Sequence, residues 1–270
     1  MNLTAGEFDA IRKFVHHEAG IVLDPGKEYL VESRMAPVLR SEGVESLREL
    51  VELLKNGASN IADKVIDAMT TNETSFFRDG SPFEVLKDRV LPRLIDRNRA
   101  NKSLTIWCAA SSSGQEPISL SIMLKEHFPE LLAWDMKILA TDICEKMLSR
   151  CRGGLYSKHE VSRGLPEELR SRYFEEAKNH WKLRPSIQNM VEYKQLNLTR
   201  TFPVMPPPDL VMIRNVLIYF DEPTKLRILK RIRGCMRPDG YLMLGTAEVS
   251  RSDCFEPMED RDCVSFYRPI

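Results

Sequence analysis

The sequence predicts an α/β protein with a small all-helical module at its N-terminus. Between residues 103 and 245, short apolar runs rich in β-branched residues alternate with helical patterns, which is typical of a parallel sheet covered by helices. Residues 5–70 instead carry apolar residues at three- and four-residue steps and contain no strand-like run, which indicates helices.

The composition is that of a globular protein. The 270 residues are 43% hydrophobic and 29% charged, with a formal net charge of zero, and this neutrality argues against a whole-molecule attraction to nucleic acid. No apolar run approaches the roughly 20 residues that span a bilayer, and the N-terminus lacks the pattern of a signal peptide. We therefore expect a cytoplasmic protein without membrane insertion.

A metal site is not predicted. The six cysteines form no CxxC pair and no HExxH motif is present, so the cysteines and histidines lack metal-ligand spacing. Reduced thiols of a cytosolic protein are the simplest interpretation of the cysteines.

The N-terminal module divides into four predicted helices. Thr4 precedes the first apolar repeat and Ser46 precedes the third, and both are suitable N-caps. The second helix is expected over about residues 26–40, where Pro37 would end or kink it. The fourth helix ends near Met69.

The α/β part follows a predicted helix at residues 85–94. Strands are predicted at residues 103–109, 136–141, 209–213 and 240–245, with a closing edge strand at 264–268, and helices at 117–124, 145–150 and 223–236. Residues 152–196 break the alternation and are interpreted as an insertion. We therefore divide the chain into a helical N-terminal domain (1–72), a linker (73–90) and the α/β domain (91–270), with an inserted subdomain at about 152–195.

The loop after the first strand is built from small residues. It has the sequence AASSSGQEP from Ala109 to Pro117, and small side chains let a ligand approach the backbone beyond the carboxyl ends of parallel strands. An ordinary strand-to-helix turn explains this loop alone equally well. Gly114 is its only glycine, so the loop lacks the GxGxxG spacing that admits a pyrophosphate, and a dinucleotide-dependent dehydrogenase is disfavoured.

Two acids near the predicted strand ends suggest another adenosine ligand. Asp142 follows the second strand, where a carboxylate can accept both hydroxyls of a ribose but can equally cap the next helix. A ribose-binding acid without a pyrophosphate site favours S-adenosylmethionine, whose sulfonium is cationic. Glu116 would then offer a carboxylate near that cation or near the amino group.

The segment RNVLIYFD follows the strand at 209–213. Asn215 falls where this strand should end, and Tyr219 lies four residues further, one turn away if the chain has become helical. Simple packing is also compatible with Tyr219. Arg214, beside an apolar strand, either contributes to the site or pairs with a carboxylate.

Six segments occur in order: TNETSFFRD, WCAASSSGQEP, ATDI, QLNL, RNVLIYFD and LGTAEV. At compatible spacings over essentially the whole chain, they resemble the CheR family of chemoreceptor glutamate methyltransferases. The resemblance implies a Rossmann-like S-adenosylmethionine-dependent methyltransferase domain, a helical receptor-recognition domain and a small β-containing insertion. It also implies methyl transfer to receptor glutamates, with S-adenosylhomocysteine as the product.

The family's residue roles carry over to matching positions. Arg78 and Tyr219 match the residues placed near the methyl-transfer centre. The positions that match cofactor-binding residues of the family are Asn72, Thr74, Arg78, Glu116, Asp142, Asn197, Leu198, Asn215 and Val216. Phe76 and Phe77 would anchor the linker while its polar side chains face the cofactor.

The chain departs from the family pattern in two regions. Family members often carry AGCSTGEEP where this chain has AASSSGQEP, but the changes keep the loop small and keep Glu116, so cofactor binding should survive. The insertion between Phe174 and Tyr193 is short and lacks a glycine-rich hairpin turn. Because that region can dock a C-terminal receptor pentapeptide in the family, we predict independence from this tether.

The resemblance makes the cytoplasmic helical domain of chemoreceptors the expected partner. Lys27 and Arg34 are seven residues apart on one face of the second helix and could meet an acidic receptor helix, although a solvated charged face is equally compatible. Methylation of a small carboxylate or of another protein is one alternative. A non-catalytic cofactor-binding adaptor is a second, disfavoured by the presence of Arg78 and Tyr219. A nucleic-acid methyltransferase is disfavoured by the zero net charge and by the lack of an Asn/Asp-Pro-Pro-Tyr-type sequence.

Overall fold

The protein consists of a helical module and an α/β part with separate hydrophobic cores. The computed structural model describes residues 3–259 and 263–270. None of the helices in these two ranges combines the length and the apolar character that crossing a bilayer requires.

The helical module has the predicted helices. They are α1 (Ala5–Ala19), α2 (Glu28–Glu42), α3 (Leu47–Lys55) and α4 (Ser59–Met69). The side chain of Thr4 accepts a hydrogen bond from the Glu7 backbone N–H, and that of Ser46 from the Glu49 N–H, so both predicted N-caps are confirmed. Pro37 lies inside α2 and does not end it.

The sheets of the α/β part contain strands that are, in chain order, β1 (Ser103–Ala109), β2 (Asp135–Asp142), β3 (Leu155–Ser157), β4 (Phe174–Ala177), β5 (His180–Leu183), β6 (Val191–Gln195), β7 (Leu210–Ile213), β8 (Tyr241–Leu244), β9 (Phe255–Pro257) and β10 (Phe266–Pro269). Within the described residues, seven of them form the main sheet in the order β6-β2-β1-β7-β8-β10-β9. The first five strands of this order pair in parallel. The carboxyl ends of β1, β2 and β7 therefore lie at one edge of the sheet, which is where ligands bind in open α/β sheets.

Helices cover this sheet and build the insertion. They are α5 (Ser81–Val85), α6 (Leu91–Asn98), α7 (Gln115–His127), α8 (Glu145–Gly153), α9 (Lys158–Ser162), α10 (Glu167–Tyr173), α11 (Pro185–Gln188) and α12 (Glu222–Cys235). A π-helical turn, Leu86–Val90, joins α5 to α6. Phe83, Leu86 and Val90 are buried in the core of the main sheet. The linker predicted for residues 73–90 therefore ends at about Gly80, where the α/β part begins.

Two other sequence-based boundaries need correction. The closing edge strand predicted at 264–268 is instead β10, which pairs antiparallel with β8 on one side and β9 on the other. The edge strand is β9, whose three residues are too few to show a strand pattern in the sequence. The insertion predicted for about 152–195 ends earlier, because β6 pairs in parallel with β2 in the main sheet.

The linker between the two parts is anchored by its aromatic residues. Phe76 is fully buried and meets the rings of Tyr156 and Phe174 edge-on, with centroids 5.6 Å and 5.7 Å away. Phe77 packs against Phe83, at 5.4 Å between centroids. The inserted subdomain, which supplies Tyr156 and Phe174, therefore holds the linker in place.

Substituting Phe76→Ala should lower the free energy of unfolding of the α/β part by about 3–5 kcal/mol, the usual cost of emptying a buried phenylalanine site. Urea unfolding of the purified protein would measure this change. Val204→Ala is the control, because Val204 is fully exposed and should change the stability little. Equal losses for the two variants would show that the aromatic cluster does not hold the linker.

Candidate active site

A cavity of about 540 Å³ lies at the carboxyl ends of the parallel strands of the main sheet. Its volume is within the range of small-molecule sites. Both parts of the protein line it, and it brings together all the residues predicted from the sequence: Lys27, Arg34, Asn72, Thr74, Arg78, Glu116, Asp142, Asn197, Leu198, Asn215, Val216 and Tyr219.

The loop between β1 and α7 lines this cavity and has a tightly turned backbone. Ala110, Ser112 and Gly114 all have positive φ angles, of 59°, 50° and 91°. A side chain at Gly114 would also place its Cβ 2.9 Å from Cys151 Sγ, so glycine is required there for both conformation and space. The Tyr156 hydroxyl donates to the Ser113 carbonyl at 2.8 Å, and the inserted subdomain thereby supports the loop as well as the linker.

Asp142 joins this loop to the end of β2. One carboxylate oxygen accepts from the backbone N–H of Ser112 at 2.8 Å, and the other accepts from that of Cys144 at 2.9 Å. Cys144, not Asp142, occupies the N-cap position of α8. A carboxylate has about four lone-pair sites, so Asp142 retains acceptors for two ribose hydroxyls. Burial raises the pKa of Asp142, although the two backbone hydrogen bonds oppose the shift.

Arg214 forms a buried ion cluster at the end of β7. Its side chain is 1% exposed, and Nη1 donates to Glu116 Oε2 at 3.0 Å. Nη2 donates to Asp79 Oδ2 and to the Arg78 carbonyl, each at 2.9 Å. Arg214 thus pairs with carboxylates, one of the two interpretations left open by the sequence. Burial raises the pKa of Glu116, and the Arg214 guanidinium counteracts that shift.

The loop after β7 carries the other predicted residues. Asn215 has a φ of 56°, an uncommon conformation that asparagine adopts more readily than most residues. Leu217–Tyr219 forms a single 3₁₀ turn, which brings Tyr219 to the cavity. The Tyr219 carbonyl accepts from the backbone N–H of Val22 at 2.9 Å, so the helical module holds the end of this turn.

The helical module also reaches the loop after β6. The Asn197 side-chain amide donates to the Glu18 carbonyl at 2.7 Å, while its oxygen accepts from the Thr199 backbone N–H at 2.9 Å. These bonds fix the segment that contains the buried Leu198. Asn197 therefore helps to join the two parts of the protein as well as lining the cavity.

The two predicted partner-binding residues differ in their surroundings. Arg34 donates to the carbonyls of Met69 and Thr70, at 2.7 Å and 3.0 Å, and to Thr71 Oγ1 at 3.1 Å. It therefore fixes the residues that lead into the linker, a role that its sequence position did not suggest. Lys27 lies at the N-cap position of α2, where it lines the cavity. Receptor binding by either residue remains a prediction.

The fold is Rossmann-like, with a cavity of ligand size at the carboxyl ends of its parallel strands. Family models of the CheR methyltransferase SAM binding domain and of the CheR methyltransferase all-alpha domain match residues 72–263 and 6–70, respectively. The chain therefore belongs to the CheR methyltransferase family, and the predicted family and fold are confirmed.

Relatives of similar length agree with this assignment. Chemotaxis protein methyltransferase 1 of Pseudomonas aeruginosa is 42% identical over 254 residues, which cover 92% of each chain. Chemotaxis protein methyltransferase Cher2 of Pseudomonas putida is 40% identical and covers 90% of each chain. Chemotaxis protein methyltransferase 1 of Vibrio cholerae is 38% identical over 93% of this chain and 92% of its own. The protein is thus an S-adenosylmethionine-dependent methyltransferase of a chemotaxis family.

The residues at the cavity fit this cofactor. When bound, S-adenosylmethionine supplies an electrophilic methyl group on a cationic sulfonium. Asp142 has the acceptor capacity for its ribose, and Glu116, whose side chain is 12% exposed, offers a carboxylate for its positive charges. The β1–α7 loop brings small side chains and backbone to the cavity, which suits a ligand that has no pyrophosphate.

Substituting Arg214→Met should raise the Kd for S-adenosylhomocysteine at least about tenfold, because Glu116 and Asp79 lose their shared partner and bonds to charged groups contribute about 1.5–3 kcal/mol. Isothermal titration calorimetry would measure the Kd. Arg99→Met is the matched control, since Arg99 is 75% exposed. An unchanged Kd in a folded Arg214→Met protein would contradict a positioning role for the cluster.

Affinity for S-adenosylmethionine should fall as the pH is lowered from about 7 to about 4, the ordinary pKa of an exposed carboxyl. Because the pKa values of Glu116 and Asp142 are raised, both carboxyls take up protons at a higher pH than exposed carboxyls, whose pKa values are about 4. Protonation removes negative charge and acceptor capacity from the cofactor site. Titrations at several pH values would measure the effect, and Asp142→Asn should flatten the profile. A constant wild-type affinity over this range would contradict the assignment.

Proposed function

We propose that the protein transfers the methyl group of S-adenosylmethionine to glutamate side chains of chemoreceptors. The products would be glutamate methyl esters and S-adenosylhomocysteine, and the reaction would serve chemotactic adaptation in the cytoplasm. The observation that carries this proposal is the placement of Arg78 and Tyr219 in the same cavity as the cofactor-binding acids Glu116 and Asp142. The chemotaxis names of the relatives support the choice of acceptor.

The chemistry requires positioning more than acid–base catalysis. A glutamate carboxyl has a reference pKa of about 4.3, so the acceptor is already ionised near neutral pH. One of its oxygens forms a bond to the methyl carbon as the carbon–sulfur bond breaks, and the electron pair of that bond passes to sulfur. The protein must therefore desolvate the carboxylate and hold its oxygen in line with the leaving sulfur.

Arg78 and Tyr219 are suited to hold the acceptor. Arg78 uses Nη1 on the Glu73 carbonyl, at 2.9 Å, but a guanidinium has five N–H donors and can also bind a carboxylate. Burial raises the pKa of Glu116, and the nearby charges of Arg214 and then of Arg78 oppose this shift. Tyr219 offers a phenol from the fixed 3₁₀ turn. Together they can orient the acceptor oxygen by charge-assisted hydrogen bonds.

The receptor surface that we propose to bind is an acidic face of the cytoplasmic helical domain. Lys27 and Arg34 line the cavity from the α2 side, so an acceptor helix that reached the cavity would pass near both cations. The exposed side chains of Val22 and Ile218 add apolar surface to the same cavity lining. Lys27 is the more selective probe of this contact, because Arg34 also holds the linker.

We further propose that methylation does not depend on a C-terminal receptor pentapeptide. The hairpin between β4 and β5 turns through Lys178 and Asn179 only, and Lys178 adopts a φ of 55°. This short turn supports the proposal, because a tether-binding insertion with a longer glycine-rich turn would offer more surface. The inserted subdomain already packs against the linker and bonds to the loop between β1 and α7.

Substituting Arg78→Ala should lower the rate of methyl transfer by about 10²-fold, the cost of losing precise orientation of a reacting group. Transfer of labelled methyl to purified receptor cytoplasmic fragments would measure the rate, with unfolding curves to compare stability. Arg93→Ala, at an exposed position in α6, should leave the rate unchanged. Near-normal transfer by a folded Arg78→Ala variant would refute the assigned role.

Receptor fragments with and without their C-terminal tails should accept labelled methyl equally. The label should be base-labile, because a carboxyl methyl ester hydrolyses in alkali. Lys27→Ala should raise the KM for both fragments with little change in kcat. Loss of labelling on removal of the tail would overturn tether independence, and base-stable label or no label on any receptor would overturn the acceptor assignment.

A further inference from the structure

Glu248 is a buried acid in the LGTAEV segment, outside the residues assigned to the cofactor or the acceptor. It follows β8, and its side chain bonds to the loop after β7. Oε2 accepts from the backbone N–H groups of Asn215 at 2.7 Å and of Gly245 at 2.9 Å. Oε1 accepts from the backbone N–H of Leu217 at 2.8 Å.

Backbone groups surround this carboxylate closely. A Cβ at Gly245 would lie 2.7 Å from Glu248 Oε2 and 2.9 Å from the Asn215 nitrogen, so a side chain at position 245 would displace the acid. The three N–H donors compensate the buried charge of Glu248, which is 6% exposed. The cost of the left-handed conformation of Asn215 is offset at the same point by its bond to Oε2.

The bond to Oε1 bears directly on Tyr219. Leu217 begins the 3₁₀ turn Leu217–Tyr219, and its N–H has Glu248 as a partner. The other end of the turn is held by Val22, which donates to the Tyr219 carbonyl. Glu248 and the helical module therefore fix the turn from both ends, so the position of the phenol depends on both.

We propose that Glu248 is a positioning residue for Tyr219: its carboxylate fixes the 3₁₀ turn that presents the phenol to the acceptor. This inference rests on the proposed function, because it gives Tyr219 a role in methyl transfer. It goes beyond that function in assigning the acid of the LGTAEV segment a task in the reaction.

Glu248→Gln is the most selective substitution. The glutamine oxygen can remain at the Oε2 position, where it serves two amides, while the side-chain NH₂ cannot accept from Leu217 N–H. The kcat for receptor methylation should fall at least about tenfold, within the range known for small misplacements of reacting groups. The Kd for S-adenosylhomocysteine should change less than about threefold, since the Asn215 bond is retained. Glu256→Gln, on the edge strand β9 and exposed, is the matched control.

A double-mutant cycle with Tyr219→Phe tests whether Glu248 acts through the phenol. Glu248→Gln should add almost no further loss of kcat in the Tyr219→Phe background. Additive losses would overturn the proposal, as would equal losses of cofactor binding and turnover. If Glu248→Gln does not fold, Gly245→Ala takes its place in the cycle, because its methyl group displaces the same carboxylate.

Hydrogen exchange separates this inference from the choice of acceptor. In Glu248→Gln, the amides of residues 217–220 should exchange at least about tenfold faster, while those of β1 remain unchanged. Unchanged exchange at 217–220, or faster exchange throughout the protein, would overturn the proposal. If the wild-type protein labels no receptor while the local exchange effect appears, the acceptor assignment fails and the structural role of Glu248 stands.

Discussion

The geometry of the candidate active site depends on the buried guanidinium of Arg214. This one group bonds to Glu116 at the start of α7, to Asp79 in the linker and to the Arg78 carbonyl, so it joins the end of β7 to two other segments of the cavity. Burying a guanidinium between two acids brings little net stability, because desolvation opposes the Coulomb attraction. Its consequence is geometric: the linker cannot move away from the sheet without leaving a buried charge unpaired.

The linker is consequently held at both ends by arginines from different parts of the protein. Arg34, from α2, bonds to residues 69–71, which lead into the linker, and Arg214 bonds to Arg78 and Asp79 near its end. Between these points, Phe76 is buried among aromatic rings of the inserted subdomain, and Ser112 Oγ donates to the Asn72 carbonyl at 2.9 Å. The loop between β1 and α7, the insertion and the helical module thus all constrain the segment that carries Asn72, Thr74 and Arg78.

The junction between α1 and the loop after β7 gives the helical module a direct part in this geometry. Gly20 ends α1 with a φ of 72°, and a Cβ there would lie 2.7 Å from Thr199 Cγ2. This close approach lets Ile21 bridge to Phe220 and Val22 bond to the Tyr219 carbonyl. His16 contacts Asp221 at 2.9 Å; the Thr224 hydrogen bond and then His16 lower the pKa of Asp221 to about 2. The module that we propose to meet the receptor also determines where Tyr219 lies.

Local patterns in the sequence predicted the helices and strands whose own residues have a typical apolar spacing or cap. The apolar β-branched run of β1 and the capping residue Thr4 are examples, and the six ordered segments placed the predicted site residues on one cavity. The strand β9 and the membership of β6 in the main sheet depend on pairing with distant strands, which short runs do not encode. The tasks of Arg34 and Glu248 were likewise hidden, because both bond mainly to backbone groups far away in sequence.

The distribution of charge in the site follows from the reaction that we propose. A carboxylate that attacks a sulfonium methyl group needs no proton transfer, so the site has no need of a histidine or another group that titrates near neutral pH. The charges instead fix positions: Arg214 holds the linker, Asp142 holds the loop after β1, and Glu248 holds the turn of Tyr219. Each of these ionised side chains bonds to backbone groups, whose positions set the direction of the neighbouring side chains. An in-line displacement is sensitive to such directions, so buried charges that bring little net stability can still serve the reaction by fixing positions.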